Sequence, residues 1–132
     1  MKRRRGSRAQ ILTAFALLIV FAKASACGVC IEDKVAVTYD HEVVTRAVAR
    51  HHVVVFAAIE GGTDANALAR QVKAAAMRTR GVDRESVRSA AEPPAVSFAL
   101  DPKVTSAEAA IVAVEKAAGM PRIKLALLRI AH

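Results

Sequence analysis

Val53-Val54-Val55-Phe56-Ala57-Ala58-Ile59 decides the fold: seven consecutive apolar residues, closed by Glu60-Gly61-Gly62. Successive side chains of a strand point to opposite faces, so a run apolar at odd and even positions alike has no side suited to water. Seven residues suit a strand and are too few for an ordinary helix, and the β-branched valines agree. The run therefore predicts a strand covered on both faces.

Downstream of it, Thr63 or Asp64 can cap a helix that carries Ala65, Leu68, Val72 and Ala75 on one face and Arg70, Lys73 and Arg78 away from it. Gly81 closes that helix. Val82 to Ser89, bounded by Gly81 and by Pro93-Pro94, reads as a short edge strand followed by a turn. Ala95 to Leu100 alternates, with Val96, Phe98 and Leu100 on one face and Ala95, Ser97 and Ala99 on the other. Thr105-Ser106-Ala107-Glu108 has the form of a capping box before a helix with Ala107, Ile111, Val114 and Ala118 inward, stopped by Gly119. Ile123 to Ile130 is a final strand. The order strand, helix, strand, strand, helix, strand predicts an α+β ferredoxin-like βαββαβ sandwich over residues 51–132.

Upstream, Ile31, Val35, Tyr39, Val43 and Ala47 recur every four residues, which predicts one helix from Ile31 to Arg50. The competing reading is a strand through Val35, Val37 and Tyr39 followed by a helix capped by Asp40. Before this segment, Met1 to Arg8 is cationic, Ile11 to Ala22 is apolar apart from Thr13, and Ala24-Ser25-Ala26 has the small-x-small form of a cleavage site. Those three parts make residues 1–26 a secretory signal peptide, and the expected location is periplasmic or secreted. The apolar run is 12 residues long, where a membrane helix needs about 20. Cleavage there would make Cys27 the first mature residue, which opens a lipoprotein reading. Against that reading, Ala24 stands three positions before Cys27, where a Leu is usual.

Charge narrows the function classes. Residues 1–26 hold six of the 20 Lys and Arg and none of the 12 Asp and Glu, so 14 basic residues face 12 acidic ones in the remainder. A net +2 without aromatic side chains among the basic ones excludes a nucleic-acid footprint. No pairing of nucleophile with base, no carboxylate pair and no complete metal-hydrolase motif occurs, so the chain is not expected to be an enzyme.

The stretches Ala95-Val96-Ser97-Phe98-Ala99-Leu100-Asp101-Pro102, Thr105-Ser106-Ala107-Glu108-Ala109-Ala110-Ile111 and Val114-Glu115-Lys116-Ala117-Ala118-Gly119, with Gly81-Val82, resemble the heavy-metal-associated domain of copper chaperones and metal-transporting ATPases. The resemblance runs from about Val53 to Ile130. It implies a ferredoxin-like fold, a soft metal ion as cargo and partner proteins. In that family two cysteines in the loop after the first strand hold the ion. The corresponding loop here, Glu60-Gly61-Gly62-Thr63-Asp64-Ala65-Asn66, has no cysteine, histidine or methionine, so no family ligand carries over to it.

The chain's two cysteines stand instead at Cys27-Gly28-Val29-Cys30, in a segment, residues 27–50, of its own. Thiolates suit copper(I) and zinc, and a two-residue spacer lets both face one ion. His41 is the further candidate ligand, with His51 and His52 behind it. As neighbours on a strand, only one of the latter pair would face a given side. A single helix folded back antiparallel on the Val53 strand would bring Cys30 near Gly61, so that the two thiols would reoccupy the family's metal position. The other reading of the pair is a structural disulfide in an exported, non-catalytic interaction module, which would meet a partner protein or a second copy through the sheet. Membrane attachment enters only if Cys27 is lipidated.

Overall fold

A computed structural model of the chain describes residues 30–119 and 122–132. The expected signal peptide and Cys27 lie outside the described residues. Within them, β1 (Val53–Glu60), α3 (Ala65–Met77), β2 (Arg88–Ala91), β3 (Pro94–Leu100), α4 (Ala107–Ala118) and β4 (Lys124–Ala131) follow one another after α1 (Ile31–Ala36) and α2 (His41–Ala49). The four strands form one antiparallel sheet in the order β2-β3-β1-β4. This is the ferredoxin-like plan, with two extra helices at its start.

Val53–Glu60 and Pro94–Leu100 are the two inner strands, with residues 54–59 and 95–100 all buried, and the first is apolar at every one of those positions. Val55, Ala57 and Ile59 join Val96, Phe98 and Leu100 under α3 and α4, where Leu68, Val72, Ile111 and Val114 complete the larger core. Val54, Phe56 and Ala99 point the other way and meet Val35, Val43 and Ala47 of α1 and α2. Helices therefore cover both faces.

The expected single helix from Ile31 to Arg50 is two helices. Val37, Thr38 and Tyr39 are β-branched or aromatic and lose rotamer freedom in a helix. Asp40 then starts a new one: its Oδ1 accepts the backbone N–H groups of Glu42 at 2.9 Å and Val43 at 3.2 Å. Both helices bury the same sheet, so the four-residue spacing persists across the break, while Ile31 and Tyr39 stay exposed. Tyr39 lies outside Phe56, ring centroids 6.4 Å apart and nearly parallel.

α1 crosses the strands. Glu32 at its start pairs with Arg129 of β4, the Thr38 carbonyl beyond its end accepts from Ser97 Oγ of β3 at 2.9 Å, and Asp40 Oδ2 receives Arg88 of β2 at 2.9 and 3.0 Å. Arg88, Ser97, Phe56 and Arg129 are register partners in sequence, one row across the whole sheet. α1 and its link therefore lie over that row as a strap.

Two expectations at the far side of the sheet are corrected. Val82 makes only an isolated bridge with Leu100, a 3-10 turn occupies Arg84–Ser86, and the edge strand begins at Arg88. Asp83 imposes this by accepting Glu85 N–H on its side chain, and Ser86 Oγ then takes the Ala99 N–H that a continuing strand would have bonded. At α4 the cap is Ser106, whose Oγ accepts Ala109 N–H, one position later than the Thr105 box. The cap of α3 is Asp64, through Ala67 N–H.

Candidate metal site

The loop after β1 is a packing joint. Gly61 and Gly62 have φ of 93° and 77°, and a Cβ on Gly61 would come within 2.1 Å of the Arg122 carbonyl oxygen. A Cβ on Gly62 would press on Leu68 at 2.7 Å. The glycines let the loop close against β4 and α3. A cavity of about 450 Å³ beside it is lined by Glu60, Gly61, Arg122, Ile123 and Lys124. Its ionic lining is one carboxylate and two cations, which does not favour a soft cation.

Cys30 stands at the N-cap of α1 and is exposed. The antiparallel helix that would have carried it to Gly61 does not exist. The ties of α1 fall on the row through Phe56, four residues before Glu60, or about 13 Å along the strand. Cys30 does not line the cavity at Gly61. The two thiols as a replacement for the loop site thus lose their geometric basis, whereas the Cys27-x-x-Cys30 spacing itself is untouched.

His41 opens α2 and is exposed, its Nδ1 3.5 Å from Tyr39 Oη. It lines a cavity of about 340 Å³ with Glu42, Thr45 and Arg46. All of α1 and the Val37–Asp40 link separate it from Cys30. Among the described residues, no three His, Cys, Asp or Glu side chains are grouped to hold a metal ion.

The strand-start end of the sheet holds what the sequence reading missed. His51 has φ of 58°, so it is outside the strand and escapes strand alternation, and His51 and His52 line one cavity of about 320 Å³ together with His132. That backbone conformation is uncommon for a residue other than glycine, though His is among those enriched in it. The signal available in sequence was the His-His pair just before the central strand; the partner from the end of β4 becomes adjacent only through the register Val54↔Ala131.

No family model and no curated protein matches the chain. Among solved structures it is similar to a copper binding domain from HMA7, a P-type ATPase, at 20% identity and a TM-score of 0.48, over 59% of this chain and 96% of that one. The ferredoxin-like assignment stands on strand order and register.

The sheet face of Ala95, Ser97 and Ala99, one surface through which a second copy would have paired, is buried, with Ser97 and Ala99 under α1 and α2. These small side chains admit the covering helices closely. Charging that face would test the intramolecular packing, and a second copy has no access to it in this fold. At the β4 edge, Glu115 Oε1 of α4 already accepts the Leu125 N–H at 2.6 Å.

Proposed function

We propose that the protein is a non-catalytic metal-binding or metal-trafficking module for copper(I) or zinc, with Cys27 and Cys30 as ligands. The observation that carries the reading is the exposure of Cys30 at the outset of α1, on a helix tied to the sheet through Glu32 and Arg129. A thiol so placed is open to an incoming ion or to a partner's ligands, and Cys27 precedes it at the two-residue spacing that lets both sulfurs meet one ion. Copper(I) suits a pair of soft thiolates, while zinc calls for further ligands to complete four. His41 is a poor third ligand from its position at the head of α2.

In this reading the chain is exported and residues 1–26 are removed, so the ion is met in a periplasmic or secreted setting. Lipidation of Cys27 would attach the protein to a membrane and withdraw one sulfur from metal. Intact mass of the exported protein separates cleaved, disulfide-bonded and lipidated forms. Bound copper and zinc are then measured after purification under reducing conditions, with Cys27→Ser/Cys30→Ser alongside. A lower metal content in the double variant, with copper(I) lost, is expected; equal copper and equal zinc in both proteins reject the cysteines as ligands.

A further inference from the structure

We propose that His51, His52 and His132, with Asp101, form a site for a divalent first-row transition-metal ion such as zinc, at the opposite end of β1 from the Gly61–Gly62 loop. The site is independent of the two cysteines.

Register brings the four residues together. Val53 is paired with Leu100 on one side, which sets Asp101 beside His52, and Val54 is paired with Ala131 on the other, which sets His132 beside Val53. His51 is added by the turn out of α2. That turn is closed by His51 N–H donating to the Val48 carbonyl at 3.0 Å and His52 N–H donating to the Ala47 carbonyl at 2.8 Å. Three of the chain's four histidines thus line one cavity.

The hydrogen bonding of His52 is unspent. Its Nδ1 is buried and has no partner among the described residues. Its Nε2 stands 4.0 Å from Asp101 Oδ2, too far for a hydrogen bond. Two donors that share one tetrahedral zinc, each at roughly 2.1 Å, lie about 3.4 Å apart. The His52–Asp101 pair is therefore within a small side-chain adjustment of bridging an ion. His51 and His132 are exposed and can rotate onto it. Because no three donors already meet at ligand distance, the ion itself must draw them in.

The donor set selects the ion. Imidazole nitrogens with one carboxylate suit zinc, nickel(II) and copper(II), and are too soft a set for magnesium or calcium. The carboxylate disfavours an anion in the same place. A cavity of about 320 Å³ also leaves room for water on the ion's remaining positions.

The test uses the full chain carrying Cys27→Ser/Cys30→Ser, so that thiol binding cannot contribute. Zinc chloride is titrated calorimetrically, and imidazole shifts are followed by NMR. One zinc per chain is expected, with shifts at His51, His52 and His132 and none at His41. His51→Asn, chosen because Asn tolerates the same backbone, and His132→Gln should each weaken binding at least tenfold, and His41→Gln should leave it unchanged. Far-UV circular dichroism of each variant checks that the fold persists; both exposed side chains can change without touching the core. The proposal fails if the double-serine protein takes up no zinc, if folded His51→Asn and His132→Gln bind as tightly as their parent, or if His41→Gln loses as much as they do. None of these outcomes bears on whether the cysteines bind copper(I).

Discussion

Phe98 is buried on one face of the sheet beneath α3 and α4, and Phe56 is buried on the other beneath α1 and α2. The helices over Phe98 are 13 and 12 residues long and bury nine side chains between them; those over Phe56 are six and nine residues long and bury three. Polar ties make up part of the difference. Ser97 to Thr38, Arg88 to Asp40 and Arg129 to Glu32 all join the second face to its covering helices. One face is held mainly by apolar area, which salt does not screen. The other adds ion pairs at half-exposed positions, which contribute little each and are screened by salt.

The largest test of this contrast is a pair of truncations. Phe98→Ala should cost about 3 to 5 kcal/mol in denaturant unfolding, since the long helices cannot collapse into the hole. Phe56→Ala should fall at the lower end, about 3 kcal/mol, because α1 and α2 can settle inward. An equal or reversed order would end the distinction between the faces. Next in size is local opening: amides of α1 and α2 should exchange with solvent through partial unfolding well before those of α3 and α4. Uniform protection across all four helices would show the strap to be part of the main cooperative unit.

Ser97→Ala should cost about 1 to 3 kcal/mol, because the Thr38 carbonyl loses its donor in a buried place. A loss below that range would mean water replaces the hydroxyl. The smallest effect is expected from Asp40→Asn, and it depends on pH. Hydrogen bonds from Val43 N–H and from Arg88 hold the Asp40 carboxyl below its ordinary value of 3.8. A depressed carboxyl stabilises the fold above its unfolded value and ceases to do so as pH falls through the folded one. The melting-temperature gap between the natural protein and Asp40→Asn should thus be constant near neutrality and close below pH 3.8. A gap that widens in acid would contradict the assignment.

The faces also differ in how far they could be read in advance. Val96, Phe98 and Leu100 announce the first core by strict alternation, and Leu68 and Val72 answer at helical spacing; burial agrees at every one. The second face was half legible. A strand without a wet side required a cover, and Ala95, Ser97 and Ala99 are small enough for one; the competing reading had the Asp40 cap right and the strand before it wrong, and the single helix looked preferable because two helices on one sheet keep the spacing of one. At the candidate sites less could be read. His51 and His52 are adjacent in sequence, but their convergence depends on a left-handed residue, and their meeting with His132 and Asp101 depends on two strand registers, neither of which leaves a local mark. Cys27 and Cys30 show the reverse: legible as a spacing, with Cys27 outside the described residues.

The crosswise lie of α1 sets how the molecule bears load. A pull applied through the chain before Ile31 reaches the Glu32–Arg129 pair first, then Val35, then the Ser97 bond at Thr38, and last the Arg88 clasp on Asp40. These ties fail one after another, as when tape is lifted from its end, instead of sharing the force as strands pulled along their length do. α1 would part from the sheet at low tension while β1, clamped between β3 and β4, stays in place.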